Sequence, residues 1–177
     1  MASKKEEKIH QCEFFEKTIT AMCRKSLRVS FENAEDDAIG LIVVIGLNPS
    51  KADELNSDHT VSVLKNYFCK KCRKLILYNL FQNYSTNPSG IIEQTVTDFV
   101  DCTIQISLQE ADEIVIAWGD ETKYTDAKKK AINQLINYKS KLRMFQDPNT
   151  GRYPCHPRNG LGKLTYTKYR SNVLDVS

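Results

Sequence analysis

The sequence predicts a three-layer α/β/α sandwich around a central, mainly parallel sheet. Apolar runs rich in β-branched residues recur at residues 41–45, 74–81, 113–118 and 141–146, and polar loops and helical segments separate them. Such unbroken runs are typical of strands that are buried on both faces. Strands that alternate with helices through short connections favour a parallel sheet covered by helices.

Length and composition indicate one ordinary domain over all 177 residues, with residues 1–8 flexible. The net charge of +3 does not by itself indicate a nucleic-acid-binding protein, but Gly151 to Ser177 carries five basic residues against one acidic residue. No apolar run reaches membrane-spanning length, so we expect a cytoplasmic protein without a membrane partner. The six scattered cysteines are expected to be reduced thiols.

In the first part of the chain, residues 9–25 place apolar side chains at roughly helical spacing, which predicts an amphipathic helix. Residues 26–31 fit a short edge strand, and an acidic loop then leads into the central strand at Leu41. A second helix is expected from about Asp58, which is a suitable N-cap.

Further along, the run at residues 74–81 predicts a second buried strand, and residues 91–108 predict a helix weakened by Thr and Val residues. The run at residues 113–119 predicts a third strand and precedes a helix at residues 125–138. The fourth run ends at Asp147-Pro148-Asn149-Thr150-Gly151, a strong turn signal.

Amide side chains follow two of the predicted strands. Gly46-Leu47-Asn48-Pro49 follows the first strand, and Asn79 lies near the end of the second. The carboxyl ends of parallel strands share one edge of a sheet, where ligands bind, so Asn48 and Asn79 are expected to meet. Two carboxamides could read the hydrogen-bonding edge of a planar base, whereas turn formation is the better explanation for either one alone.

The segment from Tyr153 to Gly160 is expected at the same edge of the sheet. Prolines flank His156 there, and Arg158 follows it closely. Imidazole and guanidinium groups donate hydrogen bonds to an anion, so these two residues are candidates for binding a developing negative charge. A surface histidine without a function is the alternative.

Other motifs carry less weight. Cys69 and Cys72 have metal-ligand spacing but lack a second pair, so we predict no metal site. No phosphate-binding glycine motif occurs, which argues against a nucleotide-hydrolysing enzyme. We expect Trp118 to pack in the core.

Taken together, Gly46-Leu47-Asn48-Pro49-Ser50, Asn79-Leu80-Phe81, Ala117-Trp118-Gly119 and His156-Pro157 resemble motifs of the uracil-DNA glycosylase superfamily. The set of motifs, with Ala52-Asp53 after the first, is still more similar to an uncharacterised family of small bacterial and phage proteins that shares this architecture. The resemblance spans residues 41–160, with the motifs in the same order.

The resemblance implies a cofactor-independent DNA glycosylase that acts on uracil or a hypermodified base in single- or double-stranded DNA, in repair or phage defence. It implies that Asn48 places the attacking water and that His156 donates to the departing base, which makes these two residues catalytic. The base-binding residues would be Gly46, Leu47, Pro49, Ser50, Asn79 and Phe81. The DNA-binding residues would be Lys51, Arg152, Pro157, Arg158, Asn159 and Lys163.

The chain departs from the superfamily at three places. Ser50 replaces the glycine or aromatic residue of other members, which leaves base selectivity open. Arg158 and Asn159 replace part of the loop that intercalates into duplex DNA, and the cysteine pair follows the first motif, so we carry over no iron–sulphur cluster. Three alternatives stay open: a non-catalytic module that binds a modified base or nucleotide, a hydrolase of free nucleosides or nucleotides, and a structural or interaction role.

Overall fold

A computed structural model describes residues 9–18, 21–32, 34–48, 59–81, 100–119 and 124–169. The strands are β1 (Ile9–Thr18), β2 (Ala21–Ser30), β3 (Ile39–Gly46), β4 (Cys72–Asn79), β5 (Glu113–Ile116), β6 (Leu142–Gln146) and β7 (Thr165–Lys168). The helices are α1 (His59–Phe68), α2 (Cys102–Glu110) and α3 (Thr125–Leu135). The fold class is α/β, as predicted.

The sheet is mixed and has the strand order β1-β2-β4-β3-β5-β6-β7. Strands β4, β3, β5 and β6 are mutually parallel, and they contain the four aliphatic runs that predict buried strands. Antiparallel pairing adds β2 and β1 on one side and β7 on the other. The parallel strands therefore form the centre of the sheet and place their carboxyl ends along one edge.

Two apolar clusters occupy the two faces of the sheet. On the face that we call the α1 face, Val61, Leu64 and Phe68 of α1 pack against alternate residues of the central strands, such as Val44 and Leu77. On the opposite face, which we call the α2–α3 face, the apolar residues of both helices pack against the other residues of the same strands. The central strands are thus buried on both sides, which explains their unbroken aliphatic sequences.

The predicted helix at residues 9–25 is wrong, because residues 9–18 and 21–25 lie in the antiparallel strands β1 and β2; residues 19–20 lie outside the described residues. Pairing with β4, from Ser26 opposite Tyr78 to Ser30 opposite Lys74, supplies β2 with hydrogen bonds that a local helical pattern cannot anticipate. Residues 26–31 are likewise not an edge strand, because β1 lies outside β2. Tertiary pairing overrides a weak helical spacing in this segment.

Several boundaries also differ from the predictions. Helix α2 begins at Cys102, where the Asp101 carboxylate caps it by accepting from the Ile104 N–H at 2.8 Å, and it ends at Glu110 rather than at residue 108. Residues 91–99 of that predicted helix and the predicted cap Asp58 lie outside the described residues. Helix α3 ends at Leu135 and continues as a 3₁₀ segment to Lys141. Strand β7 was not predicted.

The turn after β6 is confirmed. The Gly151 N–H donates to the Asp147 carbonyl at 2.8 Å, and the Asp147 carboxylate accepts from the Asn149 N–H at 2.9 Å. This backbone hydrogen bond, with another from the Thr150 hydroxyl, lowers the pKa of Asp147. The turn directs the chain back toward the carboxyl edge of the sheet.

Among the described residues, none of the helices has the length and apolar character needed to cross a membrane. The cysteines whose side chains are described, Cys69, Cys72, Cys102 and Cys155, are free thiols, as expected.

Candidate functional site

A cleft opens at the carboxyl edge of the sheet, on the α1 face. The cleft is shallow: its empty space is about 330 Å³ when the open solvent at its mouth is included, but its enclosed part is about 20 Å³, room for about one water molecule. Buried aliphatic side chains from three strands and from α1 form its floor: Val44, Leu64, Leu77 and Ala117. Polar residues surround this floor: Asn48, Thr60, Asn79 and His156. An apolar floor with a few convergent polar groups is typical of small-molecule binding sites.

The Asn79 carboxamide lies deep in this cleft, against Gly46 of the neighbouring strand. Backbone hydrogen bonds from Leu80 N–H to Gly46 O (3.0 Å) and from Phe81 N–H to Leu47 O (2.9 Å) hold the two strand ends together. A Cβ added to Gly46 would lie 2.6 Å from Asn79 Oδ1, so only glycine leaves room for the carboxamide. Gly46 therefore determines where the Asn79 side chain sits.

Asn79 is 6% exposed, and its Nδ2 has no hydrogen-bond partner among the described residues. A buried amide donor without a partner costs about 1–3 kcal/mol, so proteins rarely retain one without a reason. Because this donor lies in a cleft, a ligand with a hydrogen-bond acceptor would satisfy it.

Asn48 lies at the mouth of the cleft, just beyond the end of β3, and its side chain is half-buried. Helix α1 begins nearby, and Thr60 of its first turn lines the same cleft. The unpaired N–H groups of a helix amino end create a positive potential. Sequence reasoning missed Thr60, although the first turn of a helix that follows a buried strand is a regular site for ligand contacts.

The His156 loop is anchored on the opposite side of the cleft. The N–H of the buried Cys155 donates to the Phe145 carbonyl at 2.7 Å, and Pro157 is buried beside the cleft. Gly119, with φ of +87°, lies against the loop, since a Cβ built there would be 3.5 Å from His156 Cβ. These contacts fix the position of the imidazole ring.

The tautomer of His156 follows from its backbone neighbour. His156 Nδ1 accepts a hydrogen bond from the Arg158 N–H at 3.0 Å. A neutral imidazole that accepts at Nδ1 carries its proton on Nε2. In its neutral form, His156 therefore carries its hydrogen-bond donor on Nε2.

The structure brings together six of the predicted site residues in one cleft: Gly46, Leu47, Asn48, Asn79, His156 and Pro157. Arg152, Arg158 and Lys163 are exposed on the segment that carries His156, outside the lining of the cleft. Pro49, Ser50, Lys51 and the side chain of Asn159 lie outside the described residues.

Phe81, predicted to bind a base, instead packs in the core on the α2–α3 face. Its ring is 3% exposed and meets the Tyr124 ring edge-on, with 5.0 Å between the centroids. Its position in the chain, just after a strand end, did not reveal which face it takes. Trp118 is also buried in this core, as expected.

The cysteine pair lies at the end of α1 and the start of β4, away from the cleft. Burial, with a smaller effect from neighbouring Cys69, raises the pKa of Cys72 to about 12, so its thiol stays protonated at neutral pH. No group of three or more potential metal-binding His, Cys, Asp or Glu side chains occurs in the part of the chain that the structure describes.

Comparison with known proteins places the chain in a family. No curated protein and no solved structure matches it. A family model described as "Protein of unknown function (DUF1643)" matches residues 24–158, well over half of the chain. The chain therefore belongs to this family.

Proposed function

We propose that this protein is a monofunctional DNA glycosylase with the three-layer α/β/α architecture of the uracil-DNA glycosylase superfamily. The observation that supports the proposal best is the meeting of Asn48, Asn79 and His156 in one cleft, where the buried Nδ2 of Asn79 has no partner among the described residues. The motif resemblance supports the same conclusion.

The residues that line the cleft are chemically suited to a nucleobase rotated out of the DNA stack, for which the shallow cleft would have to widen. Its aliphatic floor would contact the face of the base, and the Asn79 carboxamide would contact the base edge with a donor and an acceptor side by side. A base carbonyl oxygen would satisfy Asn79 Nδ2. Since Gly46 determines the position of Asn79, the base edge would meet a preorganised partner.

In the proposed reaction, a water held by Asn48 attacks C1′ of the deoxyribose while the bond from C1′ to the base nitrogen breaks. The bonding electron pair leaves with the base, which departs as an anion, and the water transfers a proton to solvent. The Nε2–H of His156 donates a hydrogen bond to the anionic base oxygen. This stabilisation grows as the charge develops, so it lowers the barrier rather than only tightening binding.

The exposed cations on the His156 segment would hold the DNA. Arg152, Arg158 and Lys163 lie on the chain that borders the cleft, and none of their side chains is buried. Phosphate contacts from such residues provide affinity and orientation without sequence specificity. They would keep the strand in place while one base leaves the stack.

One observation favours a second candidate, a non-catalytic module that binds a modified base. The described residues that line the cleft include no carboxylate, and an asparagine amide cannot act as a general base. Asp53, the carboxylate nearest in sequence to Asn48, lies outside the described residues. Binding of modified DNA without formation of abasic sites would identify this second function.

The test is release of free base from a panel of modified oligonucleotides, measured by mass spectrometry. We expect wild-type protein to release at least one base and both Asn48→Ala and His156→Ala to lose this activity while remaining folded. His156→Ala should lose some stability, because the Arg158 N–H loses its acceptor. Asn137→Ala is the matched control and should be fully active, because this exposed asparagine lies just before β6, at the edge of the sheet opposite the cleft. Full activity of both cleft variants would refute the assigned roles.

The same panel should include free nucleosides. If bases are released from nucleosides and not from oligonucleotides, the protein is a nucleoside hydrolase, and the proposal that its substrate is DNA is wrong.

A further inference from the structure

The β1–β2 hairpin extends beyond the carboxyl edge of the sheet, next to the cleft. Strand β2 pairs with β4 only from Ser26, opposite Tyr78, to Ser30. Residues 21–25 of β2 continue past this pairing and, among the described residues, pair only with β1. Because β2 runs antiparallel to β4, these residues continue in the direction in which β4 ends, at Asn79.

A β-bulge marks the point where this two-stranded ribbon leaves the sheet. Glu13 pairs with Ser26 and Phe14 pairs with Arg24, so Lys25 is an extra residue on β2 without an opposite partner on β1. Continued register places Lys25 level with Asn79. Bulges bend a strand, increase its twist and occur frequently next to functional sites.

The dimensions place the ribbon close to the ligand. Four residues of β2 beyond the bulge, Ala21–Arg24, extend by about 13 Å at the rise of a strand. Strand β2 is separated from β3 only by β4, which corresponds to about 10 Å at the usual spacing between strands. A nucleic-acid strand with one base in the cleft would therefore reach the ribbon about three nucleotides away.

The charge of the ribbon suits a polyanion. From Phe14 to Lys25, its sequence has three basic residues, Lys17, Arg24 and Lys25, and one acidic residue, Glu16. The exposed Arg152 and Arg158 lie on the His156 segment, which approaches the cleft from the β6 end of the sheet. By sequence, basic residues thus occur on two separate segments whose backbones approach the carboxyl edge of the sheet.

We propose that the β1–β2 ribbon is a second DNA-binding element, which holds the phosphates of the strand about three nucleotides from the target base. This inference rests on the proposed DNA partner of the cleft. It assigns a function to a segment outside the base-binding residues, and it predicts that substrate length matters.

The test measures binding of fluorescently labelled single-stranded DNA by anisotropy, with an oligonucleotide of about 12 nucleotides and one of about three, across about 50 to 200 mM salt. We expect the variant Lys17→Gln/Arg24→Gln/Lys25→Gln to bind the longer DNA at least about tenfold more weakly, with a salt slope lower by about 2, since each lost phosphate contact removes about 0.7. Binding of the short DNA should not change, because it does not reach the ribbon.

Two further variants make the result specific. Lys70→Gln/Lys74→Gln/Lys139→Gln removes the same charge from exposed positions at the opposite edge of the sheet and should bind like wild type. Lys17→Arg/Arg24→Lys/Lys25→Arg keeps the charge and should restore the wild-type salt slope.

Equal losses of DNA affinity in the ribbon variant and in the opposite-edge variant would overturn the inference. An unchanged salt slope in the ribbon variant would also overturn it, and so would a wild-type protein that does not bind the longer DNA. The outcome is separate from that of the proposed reaction, because binding is measured here without base release. A ribbon effect in a protein that releases no base would support this inference and refute the glycosylase.

Discussion

Replacing Gly46 by alanine tests whether the Asn79 carboxamide is held in place for a ligand. The added Cβ would lie 2.6 Å from Asn79 Oδ1, and the next nearest atom outside that side chain, Leu77 Cδ1, would be at an ordinary contact distance of 3.7 Å. The carboxamide oxygen must therefore move by about 0.8 Å to reach about 3.4 Å, the lower limit of ordinary contact.

Two effects follow from this displacement. Overpacking in a well-packed site costs about 1–3 kcal/mol of unfolding free energy. In a chain of this size that corresponds to a fall in melting temperature of about 2–12 °C. A misplacement near 1 Å in a preorganised site can cost about a hundredfold in rate, so we expect a loss of base release of that order.

A double-mutant cycle separates the clash from a general strand defect. In an Asn79→Ala background, Gly46→Ala should cost almost no stability, since the oxygen it displaces is gone. Gly162→Ala is the matched control, because a Cβ there meets nothing within 4 Å. If Gly46→Ala destabilises equally in both backgrounds, or keeps full activity on a substrate that wild type cleaves, the reasoning about Asn79 is wrong.

Three further predictions follow from named groups. His156→Gln should lose at least about tenfold in base release with little change in melting temperature, since a glutamine cannot reproduce the fixed Nε2–H donor; wild-type rates would contradict this. The free energy of unfolding should fall as pH rises from 9.0 toward about 12, because the Cys72 thiol ionises at a lower pH in the unfolded chain than in the fold. In denaturation curves measured over this pH range, Cys72→Ala should show a smaller fall. Because the pKa of Asp147 is depressed in the fold, its ionised carboxylate stabilises the fold above pH 3.8, and this stabilisation is lost as the pH falls below that value. Asp147→Asn should therefore show a weaker dependence of melting temperature on acid pH than wild type.

The sequence predicted the centre of the fold better than its edges. The strands of the parallel centre are buried on both faces, so hydrophobicity alone identifies them. The outer strands, in contrast, form because they pair with neighbouring strands, which the local sequence does not reveal. The apolar positions of residues 9–25 are compatible with helical spacing, and only the pairing of β1 with β2, which pairs in turn with β4 from Ser26 onward, decides for strands. Strand β7 has just four residues, Thr165–Lys168, and none is buried, so it carries no apolar signal.

The meeting of Asn48, Asn79 and His156 was predictable because the carboxyl ends of parallel strands share one edge. The contacts that each of these side chains makes at that edge were not predictable from the sequence. The fit of Asn79 against Gly46 and the tautomer of His156 depend on distances between segments far apart in sequence. The core position of Phe81 depends on Tyr124, which lies on another segment.

The side-chain amide signals of Asn79 test the central claim most directly. In a ¹⁵N-labelled protein, two-dimensional NMR can follow these signals while free nucleobases, beginning with uracil and hypoxanthine, are added. We predict that the Asn79 signals shift with saturable dependence on the base, because its Nδ2 gains an acceptor, while those of the exposed Asn137 stay in place. Saturable binding that shifts other signals and leaves Asn79 unchanged would contradict a base-binding cleft.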